Sequence, residues 1–366
     1  MNFNKLLEDL ISINAPSKRE HEVSKYIIKF AQENEINFQA LEDFIPEGGN
    51  CAPILMKIKG TSNKDSVLLS CHMDSVFINH NKPIEIVKCG NIWKSNGKNV
   101  LGGDDRLGVA IAMIMAIKAK KNPELHGGLE VLFNVQEELG CLGTKILDFN
   151  IIDSKYNYNL DGETAVGTAI NQAPTKVIYN LEVIGKPSHA ALAPQDGINA
   201  IVALSSIITK LPQGQLDFET TANIGTISGG AQTNVVAEKA MMSAEIRSLS
   251  FNKYIHWKEL ILKIIQSESK RLNVKFNCDF NIIYNGYHVN DDEPVIKRFK
   301  KACIKNDLTP TLLTSQGGGD SNNINSSSIK SIVFGLDMNN IHTNEESLNI
   351  KSFEKAIKLM DSILFN

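Results

Sequence analysis

Apolar residues at helical spacing with acids between them (Phe3, Leu6, Leu7, Leu10, Ile11) open the chain, predicting a first helix rather than the unbroken apolar core of a signal peptide. Ser17 with Glu20 three residues on reads as a capping box, opening a second helix that runs to about Glu33. The period then changes. Residues 54–58 and 67–71 are short β-rich runs, and the second leads straight into His72-Met73-Asp74. Residues 84–87 and 91–94 predict a small hairpin around Cys89-Gly90. Gly102-Gly103 precede Asp104-Asp105 and a long apolar run, so a tight turn enters a helix over about 104–120, with Asp104 at its mouth in N-cap position. Buried strands follow at 128–135, ending at Gln136-Glu137-Glu138, and at 156–160, ending at Asp161-Gly162. Strands alternating with helices, with polar residues gathered at strand ends, predict an α/β fold whose largely parallel sheet is wrapped on both faces.

From about Thr168 the pattern is different. Strand 176–184, helix 196–211, strands 221–227 and 235–246 around Ser228-Gly229-Gly230, helix 252–272 and strand 274–283 give the order βαββαβ. That order predicts a small antiparallel sheet with two helices on one face, inserted at 168–284. The first domain, 1–167, then resumes over 285–366 with helix 293–306, strand 310–314, a glycine turn at 316–320, strand 331–335 and helix 352–364.

Composition narrows the function classes. A net charge of -3 gives no sign of nucleic acid, and the densest basic run, 296–301, reads as the solvated face of one helix. The longest apolar run, 107–117, falls short of the roughly 20 residues that span a bilayer, so no membrane segment is expected. Six dispersed cysteines without a C-x-x-C pair point to reduced thiols in a cytoplasm.

The chemistry gathers at strand ends. His72, Asp104, Glu138, Asp161 and His342 each end a predicted strand or lie in a loop, where they can converge on one sheet edge. A two-metal hydrolase needs a carboxylate shared by two cations, terminal ligands for each, and a base for the attacking water. His72 suits a neutral imidazole ligand, and Asp74, two residues on, can fix its tautomer. In Glu137-Glu138 one carboxylate can ligate while its neighbour moves protons. Taken singly, a capping aspartate, a structural histidine and an exposed acidic turn explain the same residues.

The ordered set of Ser70-Cys71-His72-Met73-Asp74, Gly102 to Gly108, Glu137-Glu138-Leu139-Gly140, Asp161-Gly162, Ser188-His189-Ala190, Asn234-Val235-Val236, Glu245-Ile246-Arg247 and His342 resembles the two-zinc exopeptidases and deacylases. That family includes peptidase T, aminoacylase, succinyl-diaminopimelate desuccinylase and glutamate-type carboxypeptidases. The Gly-Asp-Asp-basic-x-Gly turn and Gly317-Gly318-Gly319-Asp320 bring the chain nearest to peptidase T. The resemblance implies a zinc-exopeptidase-like catalytic domain with a mixed, largely parallel sheet plus the inserted βαββαβ lid, and two divalent metal ions, zinc by family. Asp104 would bridge them, His72 and Asp161 completing one position, Glu138 and His342 the other, with Glu137 as general base and Asp74 beside it. The same likeness implies an unusual peptide geometry at Asp105. In the lid it implies a homodimer, with His189 reaching the partner's site, Asn234 and Arg247 on substrate, and backbone N–H groups around Gly318. A peptidase T-like aminopeptidase acting on a small peptide substrate is the implied activity. A carboxypeptidase or N-acyl-amino-acid deacylase on this scaffold, and an inactive peptide-binding member, are the alternatives.

Overall fold

The computed structural model describes residues 2–76 and 84–366 and divides into two compact units. The first comprises residues 1–172, 288–315 and 319–366; the second comprises 173–287 and 316–318.

Four parallel strands form the middle of the first unit's sheet, in the order Gly128–Asn134, Val67–His72, Tyr156–Gly162 and Lys330–Gly335. Antiparallel strands Ile54–Lys59 and Phe38–Ala40 extend one side, and Thr168–Ala173 extends the other, carrying Thr311–Thr314 in parallel. The sheet is therefore mixed but largely parallel, and its central strands are apolar runs because both faces are covered. Helix Gly103–Lys121 is buried at every position from Gly103 to Ala116 and packs between the sheet and the helices Phe3–Ile11 and Ile350–Phe365. A helix buried all round needs no polar stripe, which is why Leu107–Ala116 carries none. A small sheet of Met338–Asn339, Ser347–Asn349, Ile92–Ser95 and Ile86–Cys89 carries the predicted hairpin and the loop of His342.

The second unit is a five-stranded antiparallel sheet in which Thr220–Gly229, Lys239–Ser248, Thr175–Ile184 and Lys275–Tyr284 lie side by side. Val177, Tyr179, Leu181 and Val183 alternate inward against helices Ala200–Ile208 and Phe251–Leu272, giving the βαββαβ core. The pattern did not signal Gly214–Asp217, which adds a short edge strand.

Three expectations are corrected. No capping box forms at Ser17 and Glu20: helix His21–Glu33 has no side-chain cap, because the Ser17 hydroxyl donates to Asp74 and the Glu20 carboxylate is turned inward. Helix 196–211 shortens to Ala200–Ile208, because Asn199 Oδ1 accepts the Ile201 and Val202 N–H groups and starts the helix there. The strand expected from Val235 begins at Lys239, since Val235 and Val236 belong to a turn paired with the His189 loop.

Candidate metal centre

The carboxyl ends of three adjacent parallel strands deliver His72, the segment Gln136-Glu137-Glu138, and Asp161 to one sheet edge. Asp104 arrives from the turn before the central helix. Gly102 takes the left-handed conformation (φ 74°), and the peptide between Asp104 and Asp105 is cis. The helix is capped by Asp105, not Asp104 as the pattern suggested: Asp105 Oδ1 accepts the Gly108 N–H at 3.0 Å, and Oδ2 accepts the His72 N–H at 3.1 Å. With capping assigned to its neighbour, the Asp104 side chain is released for other use.

Asp104 faces two imidazoles. Its Oδ1 lies 3.0 Å from His72 Nε2, and its Oδ2 lies 3.0 Å from His342 Nε2. Asp161 Oδ1 stands 3.6 Å from His72 Nε2, and Glu138 Oε2 stands 3.0 Å from His342 Nε2. His72 Nδ1 meets only acceptors, the Asp74 carbonyl at 3.1 Å and its carboxylate at 3.3 Å, so the proton sits on Nδ1. The Nε2 lone pair then faces carboxylate oxygens, an arrangement that needs a proton or a cation between them. Asp74 also orders the acidic pair, accepting the Glu137 N–H at 3.0 Å, the Glu138 N–H at 3.1 Å and the Ser17 hydroxyl at 2.7 Å.

Electrostatics give the site an excess of acid. Burial pushes Asp161 up to about 7 and raises Glu137 and Asp105 well above the usual carboxylate range, with Asp161 adding repulsion to the latter two. Burial opposes charge on His72, but Asp161, Asp104 and Asp74 outweigh it and hold the imidazole well above its ordinary value. Hydrogen bonds to Asp104 and Glu138 bring His342 to about 10. Burial disfavours ionised Asp104, yet the two histidines hold its carboxyl far below the usual range. The donor set fits divalent cations: imidazole nitrogens and carboxylates converge, and Glu138 Oε1 is buried with no hydrogen-bond partner. Asp105 lies close enough to join a ligand group with His72 and Asp161, but both its oxygens are taken by backbone N–H groups.

Sequence reasoning missed several buried acids here. Glu20 accepts the Lys18 and Gln136 N–H groups at 3.0 and 3.1 Å. Glu346 accepts those of Gly102 and Asp104. Asp320 accepts from Thr144 and Asn134 near Glu137 and Cys141. The capping-box spacing did single out Glu20, and the glycine turn Asp320, though neither as a buried acid beside the ligands.

The remaining expected residues belong to the second unit. His189 is exposed, and its Nδ1 accepts the Ala191 and Leu192 N–H groups at 3.2 and 3.1 Å, so the ring proton is on Nε2. The Asn234 carbonyl accepts the Ala190 N–H, joining the two loops. Arg247 is engaged in an ion pair, its Nε donating to Glu245 Oε1 at 2.8 Å and its second nitrogen to Oε2 at 3.3 Å. Gly318 is forced by close approach: a Cβ there would lie 2.3 Å from the Tyr284 ring.

Two family models match the chain, Peptidase family M28 over residues 53–217 and Peptidase dimerisation domain over 177–273. An uncharacterised protein of Bacillus subtilis, YqjE, is 32% identical over all of this chain and 98% of its own length. Peptidase T of Salmonella typhimurium is 24% identical over 73% of this chain and 65% of its own. The solved aminopeptidase PepT of Bacillus cereus superposes with a TM-score of 0.89 at 30% identity, covering 99% of this chain and 96% of that one. The chain belongs to the peptidase T-like family of metallopeptidases. A tripeptidase from Staphylococcus aureus, at 27% identity and TM-score 0.91, covers all of this chain and 98% of its own. As a member of this family the protein is a metal-dependent peptidase.

Proposed function

We propose that the protein is a cytoplasmic aminopeptidase that removes single residues from small peptides with two zinc ions. His72 and Asp161 would hold one ion, Glu138 and His342 the other, and Asp104 would serve both. The observation that carries this reading is the placement of the two Asp104 oxygens, each 3.0 Å from a different imidazole, with a second carboxylate beside each ring. When bound, the ions would polarise the scissile carbonyl and lower the pKa of an attacking water. Glu137 takes the proton of that water and hands it to the leaving nitrogen. Asp74 fixes the His72 tautomer and orders the backbone that presents Glu137 and Glu138.

The peptide substrate follows from the relatives, described as an aminopeptidase and a tripeptidase. A homodimer is supported by the dimerisation-domain match and by strand Thr220–Gly229, whose outer edge is paired with Gly214–Asp217 at Thr220–Ala222 and met by the Gln213 side chain at Ile224. The part of that edge beyond Ile224, where Ile227 is exposed, is a template for pairing with a second copy. His189, with its proton on Nε2, would donate to the developing oxyanion in the partner's site. Asn234, Arg247 and the Gly318 turn would contact substrate, Arg247 exchanging Glu245 for a substrate carboxylate.

The test is metal analysis with a substrate panel. The protein should bind close to two divalent ions, lose hydrolysis on chelation and regain it with zinc. Free tripeptides should be cleaved and N-blocked ones spared. Full activity after thorough chelation would reject the two-ion mechanism, and preference for an N-acyl amino acid would move the enzyme to the deacylases.

A further inference from the structure

One buried acid outside the proposed ligand set is tied to two of the ligand-bearing segments. Glu346 is 1% exposed. Its Oε2 accepts the Gly102 N–H at 2.7 Å, and its Oε1 accepts the Asp104 N–H at 3.1 Å. Its main chain is fixed as well, the carbonyl accepting the Ser95 N–H at 3.1 Å and the N–H donating to the Thr343 carbonyl at 3.2 Å. His342 lies in the same loop, in a left-handed conformation (φ 63°), between the paired strands Met338–Asn339 and Ser347–Asn349.

A carboxylate that satisfies two N–H groups of a turn is common fold support, so its location matters here. The turn it holds is the one that presents Asp104, and the loop it belongs to is the one that presents His342. Any shift of Glu346 therefore changes the 3.0 Å separation between Asp104 Oδ2 and His342 Nε2. The other side of Asp104 has an anchor outside that turn, because His72 is held through Nδ1 by Asp74.

We propose that Glu346 is a positioning residue that locks the His342 loop to the Asp104 turn and so sets the affinity of the ion position formed by Glu138 and His342. The inference rests on the two-ion reading above and adds an order of filling to it: the His72–Asp161 position is preformed, and the second depends on Glu346.

The experiment titrates zinc into the parent protein and into Glu346→Gln in zinc-buffered solutions, with bound zinc counted directly. Glutamine keeps the shape but replaces one acceptor oxygen with an NH2 that faces an N–H donor. The first equivalent should bind the variant at the parent's free zinc, and the second should need ~10–100-fold more. kcat should recover as the second position fills. Identical titrations of parent and variant, or equal weakening of both equivalents, overturn the role of Glu346 while leaving two ions in place. A parent that never binds two ions rejects the two-ion reading, and this inference with it. Hydrogen exchange of the parent, without zinc, is the check that needs no variant to fold. The Gly102 and Asp104 amides should be protected, and exchange at the rate of an open loop would overturn the proposal.

Discussion

Glu137 and Glu138 are neighbours in sequence with opposite surroundings. Glu138 meets His342, whereas Glu137 accepts the Cys141 thiol at 3.3 Å and is raised by burial and by Asp161. Glu137→Gln should therefore keep both ions and lower kcat by ~10²–10⁴-fold, the usual worth of a positioned proton carrier. Metal counting beside single-turnover assays checks it, and loss of an ion would make Glu137 a ligand. Glu20 supplies a pH test. Burial, then repulsion from Asp74, raises it from 4.5 to about 7, so between those values the folded chain keeps a proton that the unfolded chain gives up. Stability should fall as pH rises through that window, by at most roughly 3 kcal/mol from this group. In chelator-treated Glu20→Gln, Tm should match the parent at pH 4 and exceed it at pH 8, because glutamine can still accept the Lys18 and Gln136 N–H groups through one oxygen. The sequence displayed the candidate ligands because each sits at a strand end or in a loop or turn and belongs to a residue type suited to metal. It hid Glu20 and Glu346, whose partners are backbone N–H groups of remote segments that no local spacing can announce.

The central helix sets how closely the Asp104 turn approaches the sheet. A Cβ on Gly108 would lie 2.3 Å from both Asp105 Oδ1 and the Leu160 carbonyl, so the glycine is required by contact. Gly108→Ala should destabilise the chain by about 1–3 kcal/mol through overpacking, seen as a lower denaturant midpoint. It should also weaken metal binding, since Asp105 and the strand leading to Asp161 are what the methyl would displace. Long elements with a sustained period, such as Gly103–Lys121, Thr175–Ile184 and Phe251–Leu272, were legible from the pattern alone. Short ones, such as Phe38–Ala40, Gly214–Asp217 and helix Asp320–Asn325, were not, because so few residues cannot establish a period and these are held by neighbours already in place. The Ser17–Glu20 capping box failed for a related reason. Its spacing is correct, but Asp74 offers the serine a buried charged acceptor.

At the scale of the whole molecule, the proposed dimer and the role of His189 stand or fall together. His189→Ala should leave bound metal unchanged and lower kcat by ~10²–10³-fold, as loss of an oxyanion donor does. Mixing it with Glu137→Gln should restore activity if His189 serves the partner chain, because one site in the mixed dimer then has both groups. A mixture as inactive as its parents, with subunit exchange confirmed, or a monomer at assay concentration, rejects that arrangement. The βαββαβ order made the inserted unit readable, but contacts between copies leave no periodic trace, and Arg247 shows the limit: its motif was visible, and an ion pair was one reading of it, but the acid it pairs with, Glu245 on its own strand, was not. The position of His342 along the chain has one more consequence. Four of the five proposed ligands lie within the first 161 residues, while the fifth follows the whole inserted unit. A chain interrupted anywhere between Asp161 and His342 would carry every ligand of the first ion position and lack one of the second, so the amount of metal held distinguishes the two positions by where the chain is cut.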